Sequence, residues 1–410
     1  MRRIRDNVAG LDVHRDSVTA CVKVFEGQEE VVVKERFSTT VSGVAKLAGW
    51  LGDRGVTTVA MEATGVYWKP VYYGLEGLFE ELWLCNAQHV KNVPGRKTDM
   101  ADAEWLADVV AHGMVRPSLV PEEPIRAVRE LTRYRKTQVD MRGREIQRLD
   151  KLLQDAGIKL SSVTSHVWSV SSRAMVQALI EGQSDPEMLA ELSKGRMRSK
   201  RPALAEALQG RFGMQHRAVA SQILAHIDFL DRAIAELDQA VQEQLRPFEP
   251  HIQLLTSIVG WQRRTAEVFL VETGADMSRF PTGAQLASWA RMCPANHESA
   301  GKHKPVGKKP GKTWLGQALT EAARSAANSK GTYLSAKYSR IARRRGPNKA
   351  ATAIAHTMLI IAWHILTTGE PYQDLGADWF DNHRDPKRET SHLVKRLETL
   401  GYTVQLNPDA

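Results

Sequence analysis

Apolar and polar residues alternate with a period of two early in the chain and recur every three to four residues through most of its remaining length. The pattern predicts a mixed N-terminal region and a helical remainder. GLDVH, SVTACVKVF and VVVKERFS read as three consecutive strands, with Glu26 to Glu30 around Gly27 as a turn. Val41 to Leu51 then predicts a helix, TTVAMEA a buried strand, Tyr67 to Leu78 a helix, LWLCNA a strand and Asp99 to His112 a helix.

The resulting order, βββαβαβα, is a ribonuclease H-like arrangement, an α/β sheet whose first three strands form a meander. Past Pro117 and the Pro121 to Pro124 loop, strand signals fade. Ile125 to Lys151 carries nine Lys or Arg against four Asp or Glu around apolar positions at helical spacing, a basic amphipathic helix. A second long helix places Ile227, Leu230, Ile234, Leu237 and Val241 in an a/d seam, able to pack on the first helix or on another subunit. GRMRSKRP, from Gly195 to Pro202, reads as a charged loop between them. From about Ile252 to Leu375 the pattern is wholly helical apart from a Gly, Lys and Pro-rich loop, SAGKHKPVGKKPGK, from Ser299 to Lys312. The expected fold class is therefore α/β plus all-α. Its parts are a ribonuclease H-like domain (1–120), a helical coiled-coil and oligomerisation region (121–250), a helical domain (251–376) and a polar, peripheral tail (377–410).

A chain of 410 residues with a formal net charge of +9 favours a polyanionic partner, because Lys and Arg that neutralise phosphates release condensed counterions. No apolar run succeeds the basic N-terminus, so a secretory signal is not expected and the cytoplasm is the expected location. The most apolar stretch, Ala353 to Leu366, is shorter than the roughly 20 residues of a membrane span and predicts a buried helix. Cys21, Cys85 and Cys293 stand far apart, which argues against a disulfide framework or a zinc site.

Acidic residues occupy places where a charge is costly without a partner. Asp12 lies in the first strand, Glu62 ends an apolar strand, and Asp99 and Asp102 follow at i and i+3 at a helix start. Taken singly, each acid reads equally well in an ordinary role: Asp99 as an N-cap, Asp102 as a solvated first-turn acid and Glu62 as a salt-bridge partner. Together, in this element order, they suggest a shared hard cation, Mg²⁺ or Mn²⁺, and two such ions about 3.5 to 4 Å apart can hold both oxygens of a phosphoryl transfer.

GLDVHRDSV, VAMEATGVYWKPV and VPGRKTDMADAEWLADVVAHG resemble the DEDD transposases of insertion-sequence family one-ten, whose N-terminal domain is similar to the RuvC resolvase. RMCPANHESAGKHKPVGKKPGKTWLGQALTEAA resembles the C-terminal transposase domain of the same family. The resemblance implies that Asp12, Glu62, Asp99 and Asp102 are a metal-binding tetrad. It further implies that Ser299 attacks a DNA phosphate, forming a covalent phosphoserine and exchanging strands by recombination. It also implies donor and target DNA as partners, a structured guide RNA, and a dimer or tetramer with composite active sites.

By residue chemistry alone, a serine beside Ala and Gly is structural more often than catalytic. Gly301 and the surrounding Lys302, Lys304, Lys308, Lys309 and Lys312 are what favour a phosphate there, and His297 and His303 stand close without a defined role. Lys97, Arg133, Arg135, Arg343, Arg344 and Arg345 are further candidate nucleic-acid contacts. TSIVGWQRRTAEVFLVETG resembles a helix-hairpin-helix with Gln262 at its second glycine, reading either as a phosphate-contacting hairpin or as core packing. Tyr67, Trp68, Tyr72 and Tyr73 read as core, with base stacking as the alternative. Competing functions are a junction resolvase or nuclease using water, and a non-catalytic nucleic-acid scaffold.

Overall fold

The computed structural model describes residues 3–26, 29–63, 65–93, 102–293, 297–299, 302–304, 313–383 and 386–406. They form two compact units, Met1–Val120 and Pro121–Ala410.

The first unit is built on a five-stranded sheet of β1 (Asn7–Val13), β2 (Ser17–Glu26), β3 (Glu29–Ser38), β4 (Thr58–Glu62) and β5 (Glu81–Cys85), in the order β3-β2-β1-β4-β5. The first three strands pair antiparallel, whereas β4 runs parallel to β1 and β5 parallel to β4. Helices α1 (Val41–Gly52), α2 (Trp68–Leu75), α3 (Ala87–Asn92) and α4 (Asp102–Ala111) complete it.

Because side chains alternate across a strand, β1 feeds two cores. Ala9, Leu11 and Val13 pack with Leu47 and Leu51 of α1 and Val71 and Leu75 of α2. Val8 faces the other way, with Ala60, Cys85 and the α4 residues Leu106, Ala107 and Val110. Trp68 and Tyr72 belong to the first core, as the core reading of these aromatics expects, while Tyr67 and Tyr73 are exposed.

The second unit opens with the longest helix, α5 (Glu123–Asp155). Four short helices come next, α6 (Leu160–Val163), α7 (Val170–Glu181), α8 (Pro186–Glu191) and α9 (Arg201–Ala207), before the long α10 (Met214–Gln244). Ion pairs Arg135–Asp238 and Arg142–Asp231 and the contact of His216 Nε2 with Asp155 Oδ2 show α5 and α10 side by side and antiparallel. The seam residues Ile227, Leu230, Ile234 and Val241 are buried within this one chain, so the a/d pattern is satisfied without a second subunit. Gly195 to Pro202 is not a loop: Gly195–Lys200 forms a 3₁₀ turn and Pro202 sits in the first turn of α9, where its missing N–H has no helical partner to lose.

Helices α11 (Glu249–Thr256), α12 (Arg263–Thr273) and α13 (Gly283–Trp289) lead to a two-stranded ribbon of β6 (His297–Ser299) and β7 (Lys302–Lys304), then α14 (Trp314–Ala327), α15 (Tyr333–Arg345), α16 (Pro347–Thr368), α17 (Trp379–Asn382) and α18 (Pro386–Thr399). The expectation of an all-helical region with a plain lysine-rich loop is corrected by β6 and β7. The apolar stretch is longer than expected. α16 has 22 residues and meets the length and hydropathy of a membrane span, but Ile354, Met358, Leu359 and Ile365 are buried in this unit. The tail is not merely peripheral either, since Phe380 stacks on Tyr333 at 5.1 Å and Arg340 lies over the Phe380 ring.

Candidate active site

Asp12 and Glu62 directly follow the last register pair of two adjoining parallel strands. Val8, Ala9, Gly10 and Leu11 pair in parallel with Thr58, Val59, Ala60 and Met61, and the next residues along are Asp12 and Glu62. Both fall on the sheet face that carries Val8, Gly10 and Ala60, which is the face covered by α4.

Helix α4 comes unusually close at Gly10. A Cβ built on Gly10 would stand 2.0 Å from the Ala103 carbonyl oxygen and 2.7 Å from the Ala107 nitrogen, so only glycine admits the helix at this depth. Asp102, exposed in the first turn of α4, therefore lies at the end of the helix nearest the Asp12 end of β1. Asp99 and Lys97 lie outside the described residues.

The Asp12 side chain is half-buried, with Oδ2 3.2 Å from His14 Nε2. His14 is a residue that reading the motif for acids alone overlooks. The signal was available in the period-two spacing, which puts residues 12 and 14 on one side of the chain. Cys85 is the register partner of Glu62, and burial, reinforced by the Glu62 charge, pushes its thiol up to about 12.

Ser299 ends β6 and pairs in register with Lys302, the first residue of β7. Lys304 pairs with His297 in the same ribbon. Lys308, Lys309 and Lys312 lie outside the described residues.

The arginine candidates divide sharply. Arg343, Arg344 and Arg345 form the exposed last turn of α15. Arg135 is buried, donating through Nη1 to Asp238 Oδ1 and Glu267 Oε2, both at 2.9 Å. Arg133 donates to both Glu272 carboxylate oxygens at 2.8 Å. Arg135 thus holds α5 to α10 and α12 and does not occupy the surface position a phosphate contact needs. The hairpin glycine Gly260 is likewise a packing residue, because a Cβ there would stand 2.6 Å from the Ala322 carbonyl oxygen of α14.

Comparison with known proteins fits this layout. A DEDD-type family model described as Transposase matches residues 9–158, and one described as Transposase IS116/IS110/IS902 family matches residues 252–339. The chain belongs to the IS110 family of DEDD transposases. It is 24% identical over 387 residues to the transposase for insertion sequence element IS1111A of Coxiella burnetii, covering 91% of this chain and 93% of that protein. A Sinorhizobium fredii protein named as transposase y4pF/y4sB is 26% identical over 326 residues, 77% of this chain and 74% of that one. The insertion element IS110 uncharacterized 43.6 kDa protein of Streptomyces coelicolor is 31% identical over 149 residues, 32% and 36% of the two chains.

The activity of this transposase is accordingly that of a DNA-rearranging enzyme. The DEDD family suggests a divalent ion, and the donors on the α4 face are of the kind such an ion takes: the oxygens of Asp12 and Glu62 on adjoining strands, with Asp102 on the helix above. Among the described residues no three His, Cys, Asp or Glu side chains already close into a cage.

Proposed function

We propose that this transposase cuts and rejoins DNA through Ser299 as nucleophile, assisted by a divalent cation held by Asp12, Glu62, Asp99 and Asp102. The carboxylate half of the reading is carried by the β1–β4 register, whose last pair, Leu11 with Met61, leaves Asp12 and Glu62 as the next residues on adjoining strands, on the face crossed by α4. The strand order β3-β2-β1-β4-β5, antiparallel and then parallel, supports a ribonuclease H-like, RuvC-like sheet for the first unit.

Mg²⁺ or Mn²⁺ at those carboxylates would offset negative charge on a reacting phosphate. Ser299 Oγ forms a bond to the DNA phosphorus as the phosphorus–oxygen bond to the leaving strand breaks. The serine proton departs and the leaving oxygen ends as a hydroxyl. A hydroxyl of another strand then attacks the phosphoserine, restoring a phosphodiester and releasing Ser299. One phosphate ester bond forms for each one broken, so no ATP is required.

The net charge of +9 also supports a nucleic-acid guide held by its backbone, with base pairing reading the sequence. Sequencing of the nucleic acid that purifies with the protein tests for a structured RNA.

The deciding experiment incubates the protein with donor and target DNA and looks for a protein-linked DNA end. Wild type is expected to form it, and Ser299→Ala to lose the adduct while retaining DNA binding. An adduct that persists in Ser299→Ala, or cleavage by wild type without any adduct, would assign the nucleophile elsewhere, in the second case to water.

A further inference from the structure

On the sheet face beneath α4 a buried lysine sits among acids. Lys23 of β2 is 3% exposed. Its Nζ lies 2.5 Å from Asp108 Oδ1 and 3.8 Å from Glu104 Oε1, both on α4, and 2.7 Å from Glu30 Oε1 on β3. Lys34 of β3 also pairs with Glu104. Burial disfavours the ammonium, but its bonds to Asp108 and Glu30 overcome that and hold it charged.

Two features then fix the course of α4. Lys23 stands opposite Val8 on β1 and meets the helix at Asp108. Two residues further along β1, Gly10 admits Ala103 and Ala107. A line through these points directs the first turn of α4, and with it Asp102, toward the Asp12 end of the strand.

The Gly10 contact sets only depth, because a glycine surface has no side chain to resist sliding. The ion pairs are directional and hold the helix along its axis. Lys23 is buried with more acidic than basic partners, so ordinary surface solvation does not account for its placement.

We infer that Lys23 is a positioning residue of the active site, clamping α4 through Asp108 and Glu104 so that Asp102 is presented to the cation held by Asp12 and Glu62. This rests on the carboxylate reading above. Lys23 touches none of those acids and acts through the helix, so its loss is expected to weaken metal affinity by less than the roughly 10- to 100-fold that follows loss of a group bonded directly to a ligand.

The test is a Mn²⁺ titration of the full chain followed by electron paramagnetic resonance, with thermal unfolding of each variant measured alongside. Asp12→Asn sets the baseline and is expected to abolish tight Mn²⁺ binding. If it does not, the carboxylate reading fails and the clamp falls with it.

Given Asp12-dependent binding, Lys23→Met and Asp108→Asn are each expected to weaken Mn²⁺ affinity by up to about 10-fold, the lower end of the range for groups bonded directly to a ligand, and Lys23→Arg to recover most of it. Glu30→Gln removes a partner of the same ammonium that lies on β3 rather than α4, and is expected to leave the affinity close to that of wild type. Unchanged affinity in folded Lys23→Met or Asp108→Asn, or equal weakening by Glu30→Gln, would overturn the clamp while leaving the carboxylate site standing. Should Lys23→Met fail to fold, Asp108→Asn decides the matter, since it keeps Glu30 and Glu104 on the ammonium.

Discussion

Gly10 lies directly beneath Ala103, with space for a hydrogen but not for a methyl group: a Cβ on residue 10 would stand 2.0 Å from the Ala103 carbonyl oxygen. The obstacle is backbone and cannot rotate aside. Gly10→Ala is therefore expected to push α4 off the sheet, destabilising the first unit by about 1–3 kcal/mol, the usual range for overpacking. Thermal unfolding of the full chain measures this, and an unchanged melting temperature would contradict the close approach.

Arg135 and the Arg343 to Arg345 run should respond in opposite ways. Removing Arg135 leaves the buried Glu267 with one of its two arginine partners, and Arg135→Met is expected to destabilise the protein by about 1.5–3 kcal/mol, the range for a lost hydrogen bond to a charged group. The salt dependence of DNA binding by the folded fraction should not change. A shallower salt slope in this variant would return Arg135 to the DNA-contacting set.

Replacing Arg343, Arg344 and Arg345 by alanine should spare stability, because the three form an exposed last helical turn. If they hold DNA phosphates, the slope of log K against log salt falls by roughly one for each phosphate no longer neutralised. A slope equal to wild type would reduce the run to a solvated helix end.

Acidification should be felt at Glu81. Arg5 Nε donates to Glu81 Oε2 at 2.7 Å and Nη2 to Oε1 at 3.2 Å, and this pairing, helped by the Thr58 hydroxyl, holds the carboxyl below its ordinary range. A carboxylate whose pKa is depressed on folding adds stability above its unfolded pKa and loses it as pH falls through the folded one. Glu81→Gln should lower the melting temperature at neutral pH and flatten its decline below the ordinary glutamate range. An acid limb identical to wild type would show the pair to be without net effect.

The thiols offer a chemical check on the first unit. Burial pushes Cys21 up to about 11 and Cys85 up to about 12, and both are fully inaccessible, whereas Cys293 is partly exposed. Because the thiolate is the reactive form, iodoacetamide at pH 8 should label Cys293 first, read by peptide mass spectrometry. Modification of Cys85 in the native protein at a comparable rate would mean that β5 opens readily.

Local patterning was enough to place the five strands of the sheet and the helices of its crossovers, because a period of two or of three to four residues is written in consecutive positions. It marked Asp12, Glu62 and Asp102 for the same reason: charges in apolar strands and at a helix start stand out where they occur. The sequence by itself therefore determined the elements of the sheet and the places on them where candidate carboxylates stand. Only the tertiary structure decided what those elements meet. The fit of Ala103 over Gly10, the burial of Lys23 against Asp108 and the engagement of Arg135 by Glu267 each join residues far apart along the chain. No local period encodes such partners, since they are chosen by how closely two backbones can approach and by which charge must be neutralised once water is excluded.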